Sequence, residues 1–478
     1  MSQLYQSQPN AQPPSTATSV TLEAERIKQI EAGSVVSTST STGEVVAGEV
    51  SKEDATEGHV EELEKQETYV SQHNPRAFPD GGLKAWLCVF GAFCCLFCSF
   101  GWINAVGIFQ SYYQSNQLKA YSPSSIAWIS GLETFFMFFG GAIVGKMFDA
   151  YGPRYILLLG TFLHVFGLMM ASISHEYWHF VLSQGICSAV GASMIFYPAV
   201  GSVSTWFYKR RAFALGITAS GSSLGGVIFP IMIRRLIVHV GFGWSMRITA
   251  FLILAMMVIA NLTLVSRLSP QGATPWTICE FTRHFKDFPY TLMVCASFLF
   301  FFGMFLPFNY LPLYGLRHDM SVDLANYLIS ILNAASIFGR IIPGYIGDKI
   351  GRFNMMVMIS YLSTFLVFAL WTPSTGSIPI ILFAALYGFS TGAFVSLAPA
   401  LVAQISDIRE FGVRSGALFA VVSFGALTGN PIAGALVSKY DGGFRGAQIF
   451  AGSMLMGASA LFLATRWKLA GSKLKTKV

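Results

Sequence analysis

Along most of this chain the apolar residues neither alternate with polar ones nor keep to one helical stripe; they run on unbroken. Between Lys84 and Lys119 lie 34 residues without a single Asp, Glu, Lys or Arg. From Arg352 to Asp407 the uncharged run is 54 residues, interrupted by Thr372-Pro373-Ser374-Thr375-Gly376-Ser377. That interruption reads as a tight turn between two helices. Backbone groups cannot be left unpaired in hydrocarbon, so a spanning helix needs about 20 mostly apolar residues. The runs predict spans near 85–112, 126–148, 155–174, 180–206, 212–238 and 247–266. A second set follows near 290–316, 325–347, 353–371, 377–405, 413–438 and 446–466. The expected fold class is an all-α membrane protein with twelve transmembrane helices.

Composition agrees. Of 478 residues, 53% are apolar and 12% charged, half the charge of an ordinary soluble domain. The charge is uneven. Residues 1–79 carry 12 acidic and 5 basic side chains, whereas the remainder has a net charge of +14. Those positive charges sit between apolar runs, which excludes a nucleic-acid partner and points to the lipid bilayer. With a cytosolic N-terminus, the inner loops and C-terminal tail hold nineteen Lys and Arg, against five in the outer loops. Both ends are therefore expected in the cytosol.

The segment 1–79 is rich in Ser, Thr, Gln, Glu and Pro, lacks the apolar stretch of a signal peptide, and is expected to be a disordered cytosolic tail. It is either a phosphorylatable regulatory segment or a solvated leader. The predicted organisation is a helical half at 80–266, a linker at 267–289, a second half at 290–466 and a basic tail at 467–478. The seven cysteines form no disulfide framework, and Cys95-x-x-Cys98 falls inside a span, where Cys behaves as a small hydrophobe.

The two halves repeat. Gly145-Lys146-Met147-Phe148-Asp149-Ala150-Tyr151-Gly152-Pro153-Arg154 follows the second span. Gly344-Tyr345-Ile346-Gly347-Asp348-Lys349-Ile350-Gly351-Arg352 follows the eighth. The Gly, Asp and Gly of the two copies are each 199 residues apart. Glycine permits close packing and tight turns. An Asp at the cytosolic end of one helix can pair with an Arg or with a neighbouring helix N-terminus and hold that side shut. Two copies at equivalent positions imply two pseudo-symmetric halves around a central site. Here the chain resembles the major facilitator superfamily over roughly residues 80–470, and Gly145, Asp149, Gly152, Arg154, Gly344, Asp348, Gly351 and Arg352 match that family's gate motif.

Two further stretches narrow the resemblance. Asp80-Gly81-Gly82-Leu83-Lys84-Ala85-Trp86 opens the first helix, and the string from Trp206 through Lys209, Arg210, Arg211 and Gly216 to Gly221 joins the fourth to the fifth. Both look like the two signatures of monocarboxylate transporters, particularly their fungal relatives. The second also reads as a basic inner loop followed by a small-residue packing face.

Ionisable residues inside spans are candidates for function. Arg340 lies in the eighth helix, eight residues before Asp348 and about 12 Å from the helix end. Asn333, Ser336 and Arg340 share one face by i, i+3, i+7 spacing. A guanidinium there can bind a carboxylate bidentately, or serve structurally by pairing with backbone carbonyls. The resemblance implies an Arg at this place, but also an Asp one turn earlier and a Lys in the first helix. Here those positions are Ser336 and Asn104, so two of the three charged parts are absent. Glu133, among Phe135, Phe136, Phe138 and Phe139, is the candidate proton carrier, or else an acid satisfied by Ser or Thr on a neighbouring helix. Arg234 and Arg235 fall at an outer helix end, as interfacial snorkellers or as attractors of anions. Asn104 and Asn309 lie at matching depth in the first helices of the two halves, as site residues or interhelical glue.

His175-Glu176-Tyr177-Trp178-His179 has zinc-protease spacing, but it falls in a short outer loop with no third ligand nearby. No metal and no cofactor are expected, and no phosphate-binding loop implies ATP. The expected function is secondary active transport of a small organic molecule, a monocarboxylate-like anion or relative, coupled to protons, by a chain for which a monomer suffices. The alternative is an exporter of a fungal secondary metabolite, and more remotely a non-transporting nutrient sensor. The plasma membrane is the location the resemblance implies.

Overall fold

The computed structural model describes residues 78–272, 278–439, 443–471 and 476–478, so the N-terminal tail, except for its last two residues, lies outside the described residues. The described residues contain helices and turns and no strand. Among the described residues, eleven helices are long and apolar enough to cross a membrane. In chain order they are α1 (Leu83–Ser115), α2 (Ser124–Tyr151), α3 (Arg154–Ala171), α4 (Tyr177–Trp206) and α5 (Arg211–Thr263). They continue with α6 (Phe288–Arg317), α7 (Val322–Ile350), α8 (Arg352–Trp371), α9 (Ser377–Gln404), α10 (Phe411–Lys439) and α11 (Arg445–Ala470).

Eleven helices make twelve crossings. The 53 residues of α5 would extend about 80 Å as one rod, far beyond a hydrocarbon core of about 30 Å. The helix turns back on itself at Gly241, whose φ of 77° and ψ of 170° lie outside the helical region. Only glycine takes that conformation without steric cost. The fifth and sixth predicted spans are the two arms of this bent helix.

The sequence repeat reappears as local structure. Ser122 accepts from the amide of Ser125 and starts α2 with Pro123 in the first turn; 199 residues later Ser321 accepts from the amide of Leu324 and starts α7. Such side-chain caps satisfy amides that have no intrahelical partner. At the far ends, Gly152 and Gly351 terminate the same helices at φ values of 74° and 110°, where an L side chain would be strained.

Irregularities in α1 and α4 bear on the interior of the bundle. In α1 the ladder breaks at Ser99 and again at Asn104: the Ser99 hydroxyl bonds the Cys95 carbonyl at 2.7 Å, and the Asn104 amide bonds the Phe100 carbonyl at 3.0 Å. Side chains of this kind compete locally with the helical pattern. In α4, residues Val181–Ser188 wind as a π-helix, a form found mostly where function needs a displaced side chain.

Gly241→Ala tests the bend. Nothing lies within 4 Å of a Cβ there, so the whole cost is backbone strain of about 1–2 kcal/mol, read as a lowered Tm of the purified protein. Gly107→Ala, in open space within regular helix, should leave Tm unchanged or raise it slightly.

Candidate functional site

The loops rich in Lys and Arg gather at one end of the bundle, termed here the basic end. Across it the two gate aspartates reach into the opposite half. The Asp149 carboxylate, at the end of α2, accepts from the amides of Gly412 and Val413 at 3.0 and 2.9 Å, at the start of α10. The Asp348 carboxylate, at the end of α7, accepts from the amides of Ala212 and Phe213 at 3.2 and 2.8 Å, at the start of α5. First-turn amides have no intrahelical acceptor and carry the positive end of the helix dipole, so an opposing carboxylate satisfies both. Of the two sequence options for these acids, the helix N-terminus is common to both copies.

Glycines allow the approach. A Cβ on Gly145 would collide with the Gly412 carbonyl, one on Gly344 with the Ala212 carbonyl, and one on Gly216 with the Arg340 carbonyl. The arginines break the symmetry. Arg352 is nearly buried, bonds Asp348 at 2.8 Å and also donates to the Tyr208 carbonyl. Its counterpart Arg154 is exposed. The segment after α5 adds a tie: the Gln271 amide N–H donates to the Asp149 carbonyl at 3.2 Å while its side chain donates to the Arg409 carbonyl at 2.8 Å.

The two signature stretches form one structure at this end. Asp80 Oδ1 accepts from the amides of Tyr208, Lys209 and Arg210 at 2.8, 2.7 and 3.3 Å. Gly81 and Gly82 take φ values of 159° and 91° just before α1. Trp86 packs on Phe207, ring centroids 5.1 Å apart, and Gly221 sits against the Phe93 carbonyl. Arg211 is buried and donates to the Phe207 and Ala403 carbonyls at 2.7 and 2.8 Å, the second in α9 of the other half. The signatures therefore anchor the start of α5, which Asp348 caps.

Between the halves lies a narrow recess, nearly closed in this state, with about 10 Å³ of room, enough for about one water. Phe100 and Asn104 come from the broken part of α1, Met304, Phe305 and Phe308 from α6, Ser336 and Arg340 from α7, and Thr391 and Val395 from α9. Arg340 is 4% exposed. One of its terminal nitrogens donates to the Ala219 carbonyl and to the Ser222 hydroxyl of α5, so in this state it is held structurally. Its Nε has no hydrogen-bond acceptor. Ser336 shares a 2.5 Å hydrogen bond with Ser223 of α5. Thus three predicted residues, Asn104, Ser336 and Arg340, meet at the recess. The other two do not. Asn333 is fully buried against Gly226 of α5, with its carbonyl oxygen unpartnered. Asn309 is exposed, its amide bonding the Phe305 carbonyl of its own helix at 3.1 Å, and the matching depth of Asn104 and Asn309 does not bring them together at the recess.

Glu133 is 1% exposed, but its partners are not Ser or Thr. Trp102 Nε1 donates to one carboxylate oxygen at 2.6 Å and Gln184 Nε2 to the other at 2.9 Å. The Tyr113 hydroxyl donates to Gln184 Oε1 at 2.7 Å. Gln184 lies in the π-helical stretch of α4, and Trp102 lies between recess residues Phe100 and Asn104. Nearby, His164 bonds the Ser188 and Cys98 carbonyls at 3.1 and 3.2 Å. Gln184 and His164 were passed over in the sequence reading, and a search for every polar or ionisable residue inside a span would have found them; Trp102, Ser222 and Ser223 carried no such signal. Arg234 and Arg235 are both exposed, and Glu176 and His179 form a reciprocal helix cap.

Twelve helical crossings, cross-capped halves and a recess between them define a membrane carrier. Comparison with known proteins agrees. A family profile described as Major Facilitator Superfamily matches residues 88–386. "MFS-type transporter 1" of Ophiocordyceps sp. (strain BCC 1869) is 53% identical, covering 87% of this chain and 93% of that protein. The "Fujikurins efflux protein" of Gibberella fujikuroi is 46% identical, covering 84% and 87%. The "Aspyridones efflux protein apdF" of Emericella nidulans is 42% identical, covering 83% and 81%. Among solved structures, the E. coli fucose:proton symporter FucP shares the fold with a TM-score of 0.63 at 14% identity, covering 79% of this chain and 98% of its own. This chain belongs to the Major Facilitator Superfamily: it is a multi-pass membrane transporter of small molecules.

The unequal arginines give a test. Arg352→Ala strips a nearly buried carboxylate of its cation and should cost about 2–3 kcal/mol, whereas Arg154→Ala should stay within about 0.5 kcal/mol. Denaturant unfolding of the purified protein separates them; equal losses would mean that the two gate loops contribute alike.

Proposed function

We propose that this transporter exports a small, largely apolar organic acid of the secondary-metabolite type from fungal cells, across the plasma membrane. The observation that carries the reading is the recess: one guanidinium with an unused Nε among phenylalanine and methionine side chains. Such a wall suits an aromatic or alkyl body, and the single cation suits one acidic group. The names of the relatives, efflux proteins for fujikurins and aspyridones, support export. The finer likeness to monocarboxylate transporters rests on Arg340 and the two signature stretches. Ser336 and Asn104 replace the charges expected beside Arg340, which favours a larger and less polar cargo than a simple short-chain acid.

In this reading 80–266 and 290–466 are the two rocking halves, 267–289 links them at the cytosolic side, and the gate motifs close that side between cycles. Glu133 carries the coupling proton. Its two neutral donors suit the carboxylate form; on protonation the Gln184 amide flips to accept from the carboxyl, and the Tyr113 hydroxyl turns to accept from the displaced amide. Because Trp102 sits between Phe100 and Asn104, that rearrangement bears directly on the recess.

Untargeted mass spectrometry of cells and medium, comparing overexpression with deletion, tests the direction: acidic metabolites should accumulate outside on overexpression, and drawdown from the medium would reverse the reading. Arg340→Ala should abolish flux, and Arg340→Lys should retain little of it, because a point charge does not replace the planar fork. Wild-type flux in either variant removes Arg340 from the site. Glu133→Gln should abolish transport driven by a pH gradient while leaving cargo exchange intact; unchanged gradient-driven transport would remove Glu133 from coupling.

A further inference from the structure

We propose that Arg340 is a latch between the halves as well as an anion contact, and that Ser222 is the positioning residue that parks it. The two cross-capped seams are built alike, except at one level. On the α2–α10 side, Gly416 packs on the Gly141 carbonyl. On the α5–α7 side, Gly216 packs on the carbonyl of the residue 199 positions after Gly141, which is Arg340. One seam is therefore plain backbone contact, and the other carries a buried cation at the same height.

That cation is shared between two tasks. Its terminal nitrogen is spent on α5, at the Ala219 carbonyl and the Ser222 hydroxyl. Its Nε remains unpartnered, and the side chain lines the recess. An acidic group entering the recess takes Nε together with the terminal nitrogen beside it, and drawing the guanidinium toward the recess to close that grip pulls the other terminal nitrogen off α5. Leaving α5 removes charge-assisted hydrogen bonds that tie α7 to the other half. One turn further along the same seam stands Gly344 on the Ala212 carbonyl, and two turns further Asp348 on the Ala212 and Phe213 amides. Loading the recess thus loosens the gate from within. The serine pair Ser223 and Ser336 beside it is neutral and does not respond to charge.

The latch does not depend on the cargo's identity; only its displacement by an anion rests on the function proposed above. Hydrogen–deuterium exchange of the full chain in lipid nanodiscs reads it directly, because the gate amides of Ala212, Phe213, Gly412 and Val413 have carboxylate acceptors only while the basic end is shut. Without ligand, Ser222→Ala should speed exchange in peptides covering 211–216 and 411–416 by about tenfold. Ser423→Ala is the control: it lies at the same level of α10, one residue beyond the position equivalent to Ser222, and bonds the Ala420 carbonyl of its own helix at 2.6 Å. It should change those peptides by less than about twofold. Wild-type exchange in Ser222→Ala, an equal rise in Ser423→Ala, or a rise spread evenly over 352–366 as well would overturn the latch. In the wild type, 1-naphthoate should speed gate exchange and neutral 1-naphthamide should not. Naphthoate that binds by equilibrium dialysis yet leaves the gate unchanged would overturn displacement by anions. Naphthoate that binds no better than naphthamide would instead overturn the anion-binding reading of the recess, with Ser222→Ala still deciding the latch.

Discussion

A carboxylate set against the open N-terminus of a helix from the other half is the interaction on which this structure turns. Asp149 and Asp348 each satisfy two amides that no residue of their own helices can satisfy. The contact is strong enough to hold two halves together and local enough to be lost in one step, since a few ångströms of separation exchange the carboxylate for water. Glycines at 145, 344 and 412 bring backbones close enough for it. Asp80, Trp86 and Arg211 fix the start of α5 where Asp348 can find it.

Charge inside the bundle follows a second constraint. A buried ionisable group is tolerated where hydrogen bonds replace its water. Glu133 is answered by Trp102 and Gln184, and Arg340 by a carbonyl and a hydroxyl of α5. Neither is answered by an opposite charge, so neither is locked. Both remain able to change partners, which the proton-carrying and anion-binding roles proposed for them require. The breaks in α1 and the π-helical stretch of α4 place the partners: regular helices would not present Asn104 to the recess while turning Trp102 to Glu133, nor aim Gln184 at the same acid.

The helices and the gate were legible because their signals are local. Spans follow from apolar length, turns from Gly152 and Gly351, and the two-fold plan from a 199-residue repeat. The site was legible in part. Arg340 and Glu133 stood out as charges in apolar runs, and both are buried as expected. Asn309 and Asn333 were chosen by depth and by helical face, and depth and face do not say whether a side chain meets a cavity or a neighbouring helix. The glycine at position 226, invisible as a functional signal, is what lets α5 cover Asn333.

By itself, then, the sequence determined that the chain crosses a membrane twelve times, that its halves repeat, and which acids sit at the turns, because each depends only on residues close together along the chain. Tertiary structure alone decided that the aspartates cap helices of the opposite half, that the two signatures clasp one another, and that Arg340 faces both α5 and the recess. Those contacts join residues more than a hundred positions apart, and their pairing is set by how closely helices can pack, a property of surfaces that no single stretch of sequence carries.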